Sequence, residues 1–191
     1  MGLFEHPEFS EHEQVSFFSD PPTGLKSIIA IHSSRGSVAG GGIRFLPYQT
    51  SDDALYDVLR LSKAMTYKSA LAGLPFGGGK SVIIGEPKVL KTEALLEAFG
   101  RCVARMGGKY ICAEDIGMTP SDMAVISRIT PYVTGLPGKS GDTSPLTGYG
   151  VYRALLAAAD RKLGRKLESV AILGFGNVGR NLAGYLVKDN V

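Results

Sequence analysis

The hydrophobic pattern near the start of the chain predicts a β-hairpin. Gln14–Phe18 and Lys26–His32 are typical of strands, and the second has the density of β-branched residues expected of a buried one. The segment between them, Asp20–Gly24, has the turn-forming sequence D-P-P-T-G. We therefore expect two strands joined by a turn.

Three later segments have the features of helices. The first begins at Ser51, which two aspartates follow, and is expected to run to about Ala72. Thr92 can cap the second, whose apolar stripe ends before Gly107. The third covers Thr119–Pro131, with a proline at its first position and another at its end.

Short apolar segments alternate with these helices. The predicted strands are Lys80–Ile84 and Lys109–Ala113, with a brief extended piece at Tyr132–Thr134. Strands that alternate with helices are typical of an α/β fold with a mainly parallel sheet. We expect this architecture for the N-terminal part of the chain.

The loop composition of Gly135–Ser144 marks a candidate domain boundary. A predicted helix, Ser144–Leu163, comes next, and the apolar segment Ser169–Leu173 is expected to be a strand. A further helical stretch follows Gly179. The second part would then contain only the first strand and helix of a truncated Rossmann domain. The predicted domains are residues 1–140 and residues 145–191.

Composition and charge exclude several classes of protein. The chain has 191 residues, 44% of them hydrophobic and 20% charged, which is typical of a globular protein. A formal net charge of +3 is too small to indicate nucleic acid or a membrane as a partner. No signal-peptide pattern or apolar span of ~20 residues is present. Cys102 and Cys112 lie in apolar segments without metal-ligand spacing. We expect buried thiols, no metal and a cytoplasmic location.

One cluster of glycines has the spacing of a dinucleotide-binding turn. Gly174, Gly176 and Gly179 form the motif G-x-G-x-x-G between the predicted strand and a helix. Such glycines permit a tight turn, approach of the backbone to a pyrophosphate, and close helix packing. A turn that serves only packing is the alternative. An acidic residue expected ~20 residues further on would lie beyond the last residue of the sequence.

A second cluster, Gly77–Gly79, precedes Lys80 and a predicted strand. It lacks the spacing of a phosphate-binding P-loop, and a strand follows where that motif requires a helix. Partial burial disfavours an ammonium, so this setting can lower the pKa of Lys80 and make it a general base. An ordinary lysine at a strand edge is the alternative.

Other segments carry further candidate groups. Lys68, near the end of the first long helix, is on its own typical of a solvated helix residue. Glu114 and Asp115 lie at the carboxyl end of a strand, where open α/β sheets place ligands, and one of them should point inward. Gly40–Gly42 supply a surface without side chains.

In their order along the chain, these segments resemble the glutamate/leucine/phenylalanine/valine dehydrogenase family, and most closely its leucine and phenylalanine dehydrogenase branch. The resemblance covers nearly the whole chain. It implies reversible, NAD(P)-dependent oxidative deamination of a branched-chain or aromatic L-amino acid to its 2-oxo acid and ammonia. The motifs that carry it are G-G-G-I-R at 40–44, S-K-A-M-T-Y-K-S-A at 62–70, L-P-F-G-G-G-K at 74–80, A-E-D-I-G at 113–117, T-G-Y-G-V-Y at 147–152 and G-F-G-N-V-G at 174–179.

The resemblance also implies roles for single residues. Lys80 would be the catalytic base, and Asp115 would shuttle a proton to and from the amino nitrogen. Lys68 would pair with the substrate α-carboxylate. The other implied substrate contacts are Gly40, Gly41, Gly42 and Met65. The implied cofactor is NAD, and NADP stays open. The residues implied to contact it are Thr147, near the nicotinamide, and Gly174, Gly176, Asn177, Val178 and Gly179.

Two features depart from the family as a whole, and a third departs from its leucine dehydrogenases. Its members are much longer, with a complete nucleotide domain, and position 43 is Ile where a small or polar residue is usual. Position 40 is Gly, where leucine dehydrogenases carry an apolar side chain, and this favours a bulky substrate. Two functions stay open. The chain is either the substrate half of a homo-oligomeric dehydrogenase, with its subunit contacts in the first domain, or a non-catalytic assembly or regulatory module.

Overall fold

The structure, a computed structural model, describes residues 2–191. The chain divides into two compact units, the first ending at Gly141 and the second comprising Asp142–Val191. The first unit contains the strands β1 (Gln14–Asp20), β2 (Leu25–Ser33), β3 (Ala39–Leu46), β4 (Gly77–Ile84) and β5 (Tyr110–Glu114). Its helices are α1 (Ser51–Leu71), α2 (Pro87–Leu90), α3 (Glu93–Arg105) and α4 (Pro120–Ser127), with a 3-10 turn at Pro21–Thr23. The second unit contains α5 (Ser144–Leu163) and α6 (Asn177–Lys188).

The five strands form one sheet in the order β1-β2-β4-β3-β5. β1 and β2 pair antiparallel, which confirms the hairpin, and β2 also pairs antiparallel with β4. β3 pairs parallel with both β4 and β5. The sheet is therefore mixed: both pairings of β3 are parallel, as predicted, whereas both pairings of β2 are antiparallel. Among the described strands, β2 alone runs opposite to the other four.

Helices cover both faces of the sheet. Val58 of α1 and Val82 of β4 belong to one buried cluster, on what we call the α1 face. Ile83 of β4 and Phe99 of α3 belong to a second and larger cluster on the opposite face. Because alternate residues of a strand point to opposite faces, Lys80 lies on the α1 face together with Val82.

The helix starts follow capping signals in the sequence. Thr50 and Asp53 form a capping box at the start of α1, and the Thr92 hydroxyl accepts a backbone hydrogen bond at the start of α3. Thr119 caps α4, which ends at Ser127, earlier than predicted. Among residues 2–191, none of the helices combines the length and the apolar character that crossing a membrane requires.

Two glycine-rich segments are strands that the hydrophobic pattern did not predict. Gly40–Gly42 lie inside β3, and β4 begins at Gly77 rather than at Lys80. Glycine is depleted in strands, so its presence gave no strand signal. In the sheet these glycines allow close packing. A Cβ at Gly78 would overlap with the backbone of Thr66 in α1.

The second unit consists of α5 and α6 packed against each other. Gly148 of α5 is so close to α6 that a Cβ there would lie 2.8 Å from the Cβ of Asn181. The predicted strand at Ser169–Leu173 is wrong, because this segment pairs with no strand among residues 2–191. Leu173 is fully exposed. Apolar residues alone do not make a strand, which is held by hydrogen bonds to a neighbour.

Candidate active site

A cluster of charged side chains lies on the α1 face, where β4, β3 and β5 are adjacent. Lys80 belongs to β4, and Asp115 follows the last residue of β5. Between them, Gly42 of β3 is in register with Ala113 of β5. A Cβ at Gly42 would lie 2.8 Å from the Cβ of Asp115 and 3.1 Å from Nζ of Lys80. Glycine at this position therefore leaves the space in which the two side chains meet.

Lys80 is a buried lysine, with only 6% of its surface exposed. Its Nζ donates a hydrogen bond of 2.5 Å to Oδ2 of Asp115. Burial lowers the pKa of Lys80, since the ammonium loses solvation, and the charge of Arg44 lowers it further, while Asp115 opposes both. The net result is a pKa below the ordinary value, which favours a lysine that can release its proton.

Asp115 contacts two cations through a single oxygen. Nε of Arg44 donates to Oδ2 at 3.2 Å, and Nζ of Lys80 donates to the same oxygen. Burial alone would raise the pKa of this carboxyl, but the charges of Lys80 and Arg44 outweigh that effect and hold the pKa below its usual value. Asp115 is therefore ionised at neutral pH.

The other glycines of β3 have different surroundings. Beyond its chain neighbours, a Cβ at Gly40 would meet no atom of residues 2–191 within 4 Å, so space is open there. A Cβ at Gly41 would overlap with the carbonyl of Gly79. Position 41 therefore requires glycine because the two strands pack closely there. From the opposite face, the buried Tyr110 donates its hydroxyl to the Gly41 carbonyl at 2.9 Å. Tyr110 thus holds β3 from the opposite face, while the space beside Gly40 is unfilled.

Helix α1 brings two further candidate residues to this face of the sheet. Thr66 packs on Gly78, which precedes Lys80 by two residues in β4. Met65 is half-buried and Lys68 is exposed in the same part of the helix. The Lys68 ammonium makes no ion pair within residues 2–191. The structure places Lys68 on the covering helix but does not join it to the charged pair.

Another set of polar residues, not singled out from the sequence, lies beside Asp115. The guanidinium of Arg44 also donates through Nη1 to Oδ2 of Asp57 at 2.9 Å. The Tyr48 hydroxyl donates to the same Asp57 oxygen at 2.8 Å, and burial together with this bond raises the pKa of Tyr48. A signal for Arg44 existed, because residues two apart in a strand share a face and Arg44 follows Gly42 by two.

The glycine turn of the second unit has part of the geometry expected of a dinucleotide site. Gly174 has a φ of 89°, and a Cβ at Gly179 would overlap with the Gly174 carbonyl, so both positions require glycine. Gly176 is the N-cap of α6, and Asn177 and Val178 begin the helix. Apart from chain neighbours, a Cβ at Gly176 would have no described atom within 4 Å. Backbone amides at such a helix start are suited to an anion.

Thr147 belongs to the same unit as this turn. Its side chain is exposed, and its hydroxyl donates to the Thr143 carbonyl at 3.0 Å within α5. The next residue, Gly148, packs on α6. Thr147 therefore lies beside the contact between the two helices of this unit.

The two cysteines are free and buried, as expected. Burial raises the pKa of Cys112 to about 12, so this residue is a thiol at neutral pH. Within the described residues 2–191, no group of three or more His, Cys, Asp or Glu side chains is arranged to hold a metal ion.

Comparison with known proteins identifies relatives of this chain. The family described as Glu/Leu/Phe/Val dehydrogenase, dimerisation domain, matches residues 12–132. The leucine dehydrogenase of Geobacillus stearothermophilus is 48% identical over 195 residues, covering 99% of this chain and 53% of the enzyme. The valine dehydrogenase of Streptomyces virginiae is 45% identical over 190 residues, with coverages of 96% and 53%.

A solved structure shows the same relationship. The crystal structure of L-tryptophan dehydrogenase from Nostoc punctiforme matches with a TM-score of 0.67 and 41% sequence identity. The match covers 94% of this chain and 52% of that one. The chain thus spans about half the length of the relatives it matches.

Proposed function

The chain belongs to the Glu/Leu/Phe/Val dehydrogenase family, and we propose that it is the substrate-binding and catalytic half of an amino-acid dehydrogenase. The proposed reaction is the reversible oxidative deamination of a branched-chain or aromatic L-amino acid to its 2-oxo acid and ammonia, with NAD or NADP as acceptor. Relatives named as leucine, valine and tryptophan dehydrogenases support this substrate class. The description of the family domain as a dimerisation domain supports a homo-oligomer.

The observation that carries the proposal is the pair formed by Lys80 and Asp115. A lysine whose pKa is lowered by burial can act as a general base near neutral pH. An ordinary lysine at a strand edge would be exposed and unpaired, whereas Lys80 is buried and bonded to a carboxylate. Perturbed titratable groups in direct contact are typical of acid–base sites.

The substrate is proposed to lie on the glycine-lined part of β3. Lys68, which has no ion-pair partner among residues 2–191, would bind the α-carboxylate. Met65 would contact the substrate from the same helix, and the backbone of Gly41 would lie beneath it. The open space at Gly40 suits a bulky side chain, since no protein atom fills it. Gly42 would leave the amino group access to the charged pair.

The glycine turn of the second unit fits a dinucleotide. The left-handed φ of Gly174 and the unfilled position at Gly176 would let the backbone approach a pyrophosphate. When bound, the nicotinamide accepts the hydride that leaves the substrate Cα. The residues proposed to hold the cofactor are Gly174, Gly176, Asn177, Val178, Gly179 and, towards the nicotinamide, Thr147.

Residues of the first unit carry the proton steps of this proposal. Asp115 takes a proton from the substrate ammonium, and departure of the hydride from Cα leaves an iminium ion. Neutral Lys80 takes a proton from water as the water oxygen bonds to the iminium carbon. Asp115 returns its proton to the nitrogen, the C–N bond breaks, and the carbonyl of the 2-oxo acid forms as the hydroxyl proton passes to solvent. Lys80 then gives the proton taken from water to the departing ammonia, which leaves as ammonium, and is again a neutral base.

A panel of amino acids tests the proposed function. We expect the full-length gene product to reduce NAD or NADP with L-leucine, L-valine or L-phenylalanine and to release one 2-oxo acid per reduced dinucleotide. L-Glutamate should be a poor substrate. The measurement is kcat/KM for each amino acid. No turnover with any member of the panel would favour a non-catalytic assembly or regulatory module instead.

The variant Gly40→Leu tests where the substrate side chain lies. A leucine side chain would fill the open space at position 40, so kcat/KM should fall more for phenylalanine than for valine. One buried methylene is worth about 1–3 kcal/mol of discrimination, which corresponds to roughly 10- to 200-fold. Equal losses for both amino acids would place the substrate side chain elsewhere.

A further inference from the structure

Arg44 is held between two carboxylates and reaches the charged pair from β3. Nε donates to Oδ2 of Asp115 at 3.2 Å, and Nη1 donates to Oδ2 of Asp57 at 2.9 Å. The side chains of Arg44 and Asp57 are only 18% and 13% exposed. A planar guanidinium that is bound in two directions has a fixed orientation.

We propose that Arg44 is the positioning residue for Asp115, and that Asp57, held by Tyr48, fixes Arg44 in place. Arg44 would keep the Asp115 carboxylate beside Lys80, and ionised, in both protonation states of the lysine. This inference rests on the proposed function for its role in the reaction. The arrangement itself is a property of the first unit and can be measured without turnover.

Arg44 and Lys80 donate to the same oxygen of Asp115, Oδ2. If Lys80 were the only cation at Oδ2 of Asp115, loss of the lysine proton would remove the positive partner of the carboxylate. The pKa of Asp115 would then rise, and the carboxylate would be free to rotate away. A guanidinium keeps its proton at any pH at which the protein is folded. Arg44 therefore remains on Asp115 when Lys80 is neutral.

Asp57 moderates the effect of Arg44 on the lysine. Burial is the main cause of the lowered pKa of Lys80; Arg44 adds to it, and Asp57 opposes it. Asp57 is itself held by the Tyr48 hydroxyl at 2.8 Å. On the solvent side, Arg60 reaches Oδ1 of Asp57 at 3.4 Å. The charges that act on the pair therefore include Arg44 on β3 and Asp57 on α1, while Arg60 contacts Asp57 and Glu114 is the chain neighbour of Asp115.

Two variants with opposite expected signs test the proposal. Arg44→Gln removes a positive charge, so the pKa values of Asp115 and Lys80 should both rise, by roughly 1 pH unit for a neighbouring charge. Asp57→Asn removes a negative charge while its amide oxygen can still accept the bonds from Arg44 and Tyr48. The pKa of Lys80 should then fall. A residue with only a structural role would not produce shifts of opposite sign.

NMR titration of this chain measures both groups directly, through the Asp115 carboxyl carbon and the Lys80 Nζ. In the full-length gene product, the rising limb of kcat/KM against pH should move to higher pH in Arg44→Gln and to lower pH in Asp57→Asn. NMR shifts of the expected sign without amino-acid turnover would mean that the proposed function fails and the positioning role stands. Turnover without these shifts would mean that the proposed function stands and the positioning role fails.

Arg60→Gln is the matched control. Like Arg44→Gln, it removes a positive charge that contacts Asp57. The Arg60 side chain, however, is 53% exposed and does not reach Asp115. We expect no shift in the titration of Asp115 or in the pH profile.

An unchanged Asp115 titration in folded Arg44→Gln would overturn the proposal, and so would shifts of the same sign in Arg44→Gln and Asp57→Asn. If circular dichroism shows that Arg44→Gln is unfolded, Asp57→Asn decides the matter. An unchanged or raised pKa of Lys80 in folded Asp57→Asn would contradict the role assigned to Asp57 and Arg44.

Discussion

At the scale of single residues, the absence of a side chain at Gly42 controls the contact between Lys80 and Asp115. A methyl group there would lie 2.8 Å from the Asp115 Cβ and 3.1 Å from Nζ of Lys80, so the pair would have to separate. A displacement of ~1 Å at a catalytic group can cost about 100-fold in rate. We expect Gly42→Ala to lower kcat by this order while the protein still folds.

Gly40→Ala is the matched control for that substitution. It adds the same methyl group to the same face of the same strand, but the space at position 40 is open. Thermal unfolding and kcat should be close to wild type, and any loss should fall on kcat/KM for the larger substrates, whose side chains are proposed to occupy this space. Comparable losses of kcat in both variants would mean that the flexibility of the strand, and not the space around the charged pair, requires glycine.

Sequence signals identified some of these residues and not others. Lys80 and Asp115 stand out because a glycine cluster precedes one and a strand precedes the other. Arg44 was within a recognised motif, but nothing local assigned it a partner. Asp57 and Tyr48 lie in α1 and in the loop before it, and they reach Arg44 only through the packing of α1 on the sheet. No pattern along the chain encodes such a tertiary contact.

At the scale of elements, a histidine attaches the segment before β1 to α1. Nδ1 of His12 accepts from the Ser10 amide at 3.2 Å, and Nε2 lies 3.1 Å from the Leu59 carbonyl. The neutral ring with its proton on Nε2 satisfies both contacts, whereas a protonated ring would lose the first. Burial lowers the pKa of His12, the Leu59 bond opposes this, and the charges of His32 and Lys63 lower it further.

We expect this attachment to weaken in acid. A histidine with a lower pKa in the folded than in the unfolded chain stabilises the fold above the unfolded pKa of ~6.5, and this contribution is lost as the pH falls below it. The free energy of unfolding in urea should therefore be smaller at about pH 5.5 than at about pH 8. His12→Gln should reduce the difference without abolishing it, because the pKa of His32 is also lowered by burial. The same pH dependence in the variant would contradict this role.

Elements with local signals were the ones predicted correctly. Ser51 and the two aspartates after it marked the start of α1, threonines marked the starts of α3 and α4, and two apolar segments around a proline-rich turn marked the hairpin. β3 was missed because its glycines have low strand propensity, although packing requires glycine at positions 41 and 42. The segment Ser169–Leu173 was wrongly predicted as a strand, since its apolar residues have no strand to pair with among residues 2–191.

At the scale of the whole molecule, the sequence predicted the α/β class but not the direction of every strand. The relative directions of β2 and β4 depend on how the hairpin joins the sheet, and no local pattern contains this information. The first unit carries the charged pair and the glycine-lined strand, and the second carries the glycine turn. Family membership links these features to amino-acid dehydrogenases, and the chain spans about half of such relatives.

Lys80 is proposed to be the base of an amino-acid dehydrogenase, and turnover by Lys80→Ala in the full-length gene product measures its contribution. We expect kcat for deamination to fall by about 100- to 10,000-fold, the contribution typical of a general base, with little change in unfolding temperature. A small primary amine added to the assay should restore part of the rate. Lys109→Ala, which removes an exposed lysine next to β5, should retain wild-type activity. Turnover by Lys80→Ala close to that of the wild type would show that Lys80 is not the base.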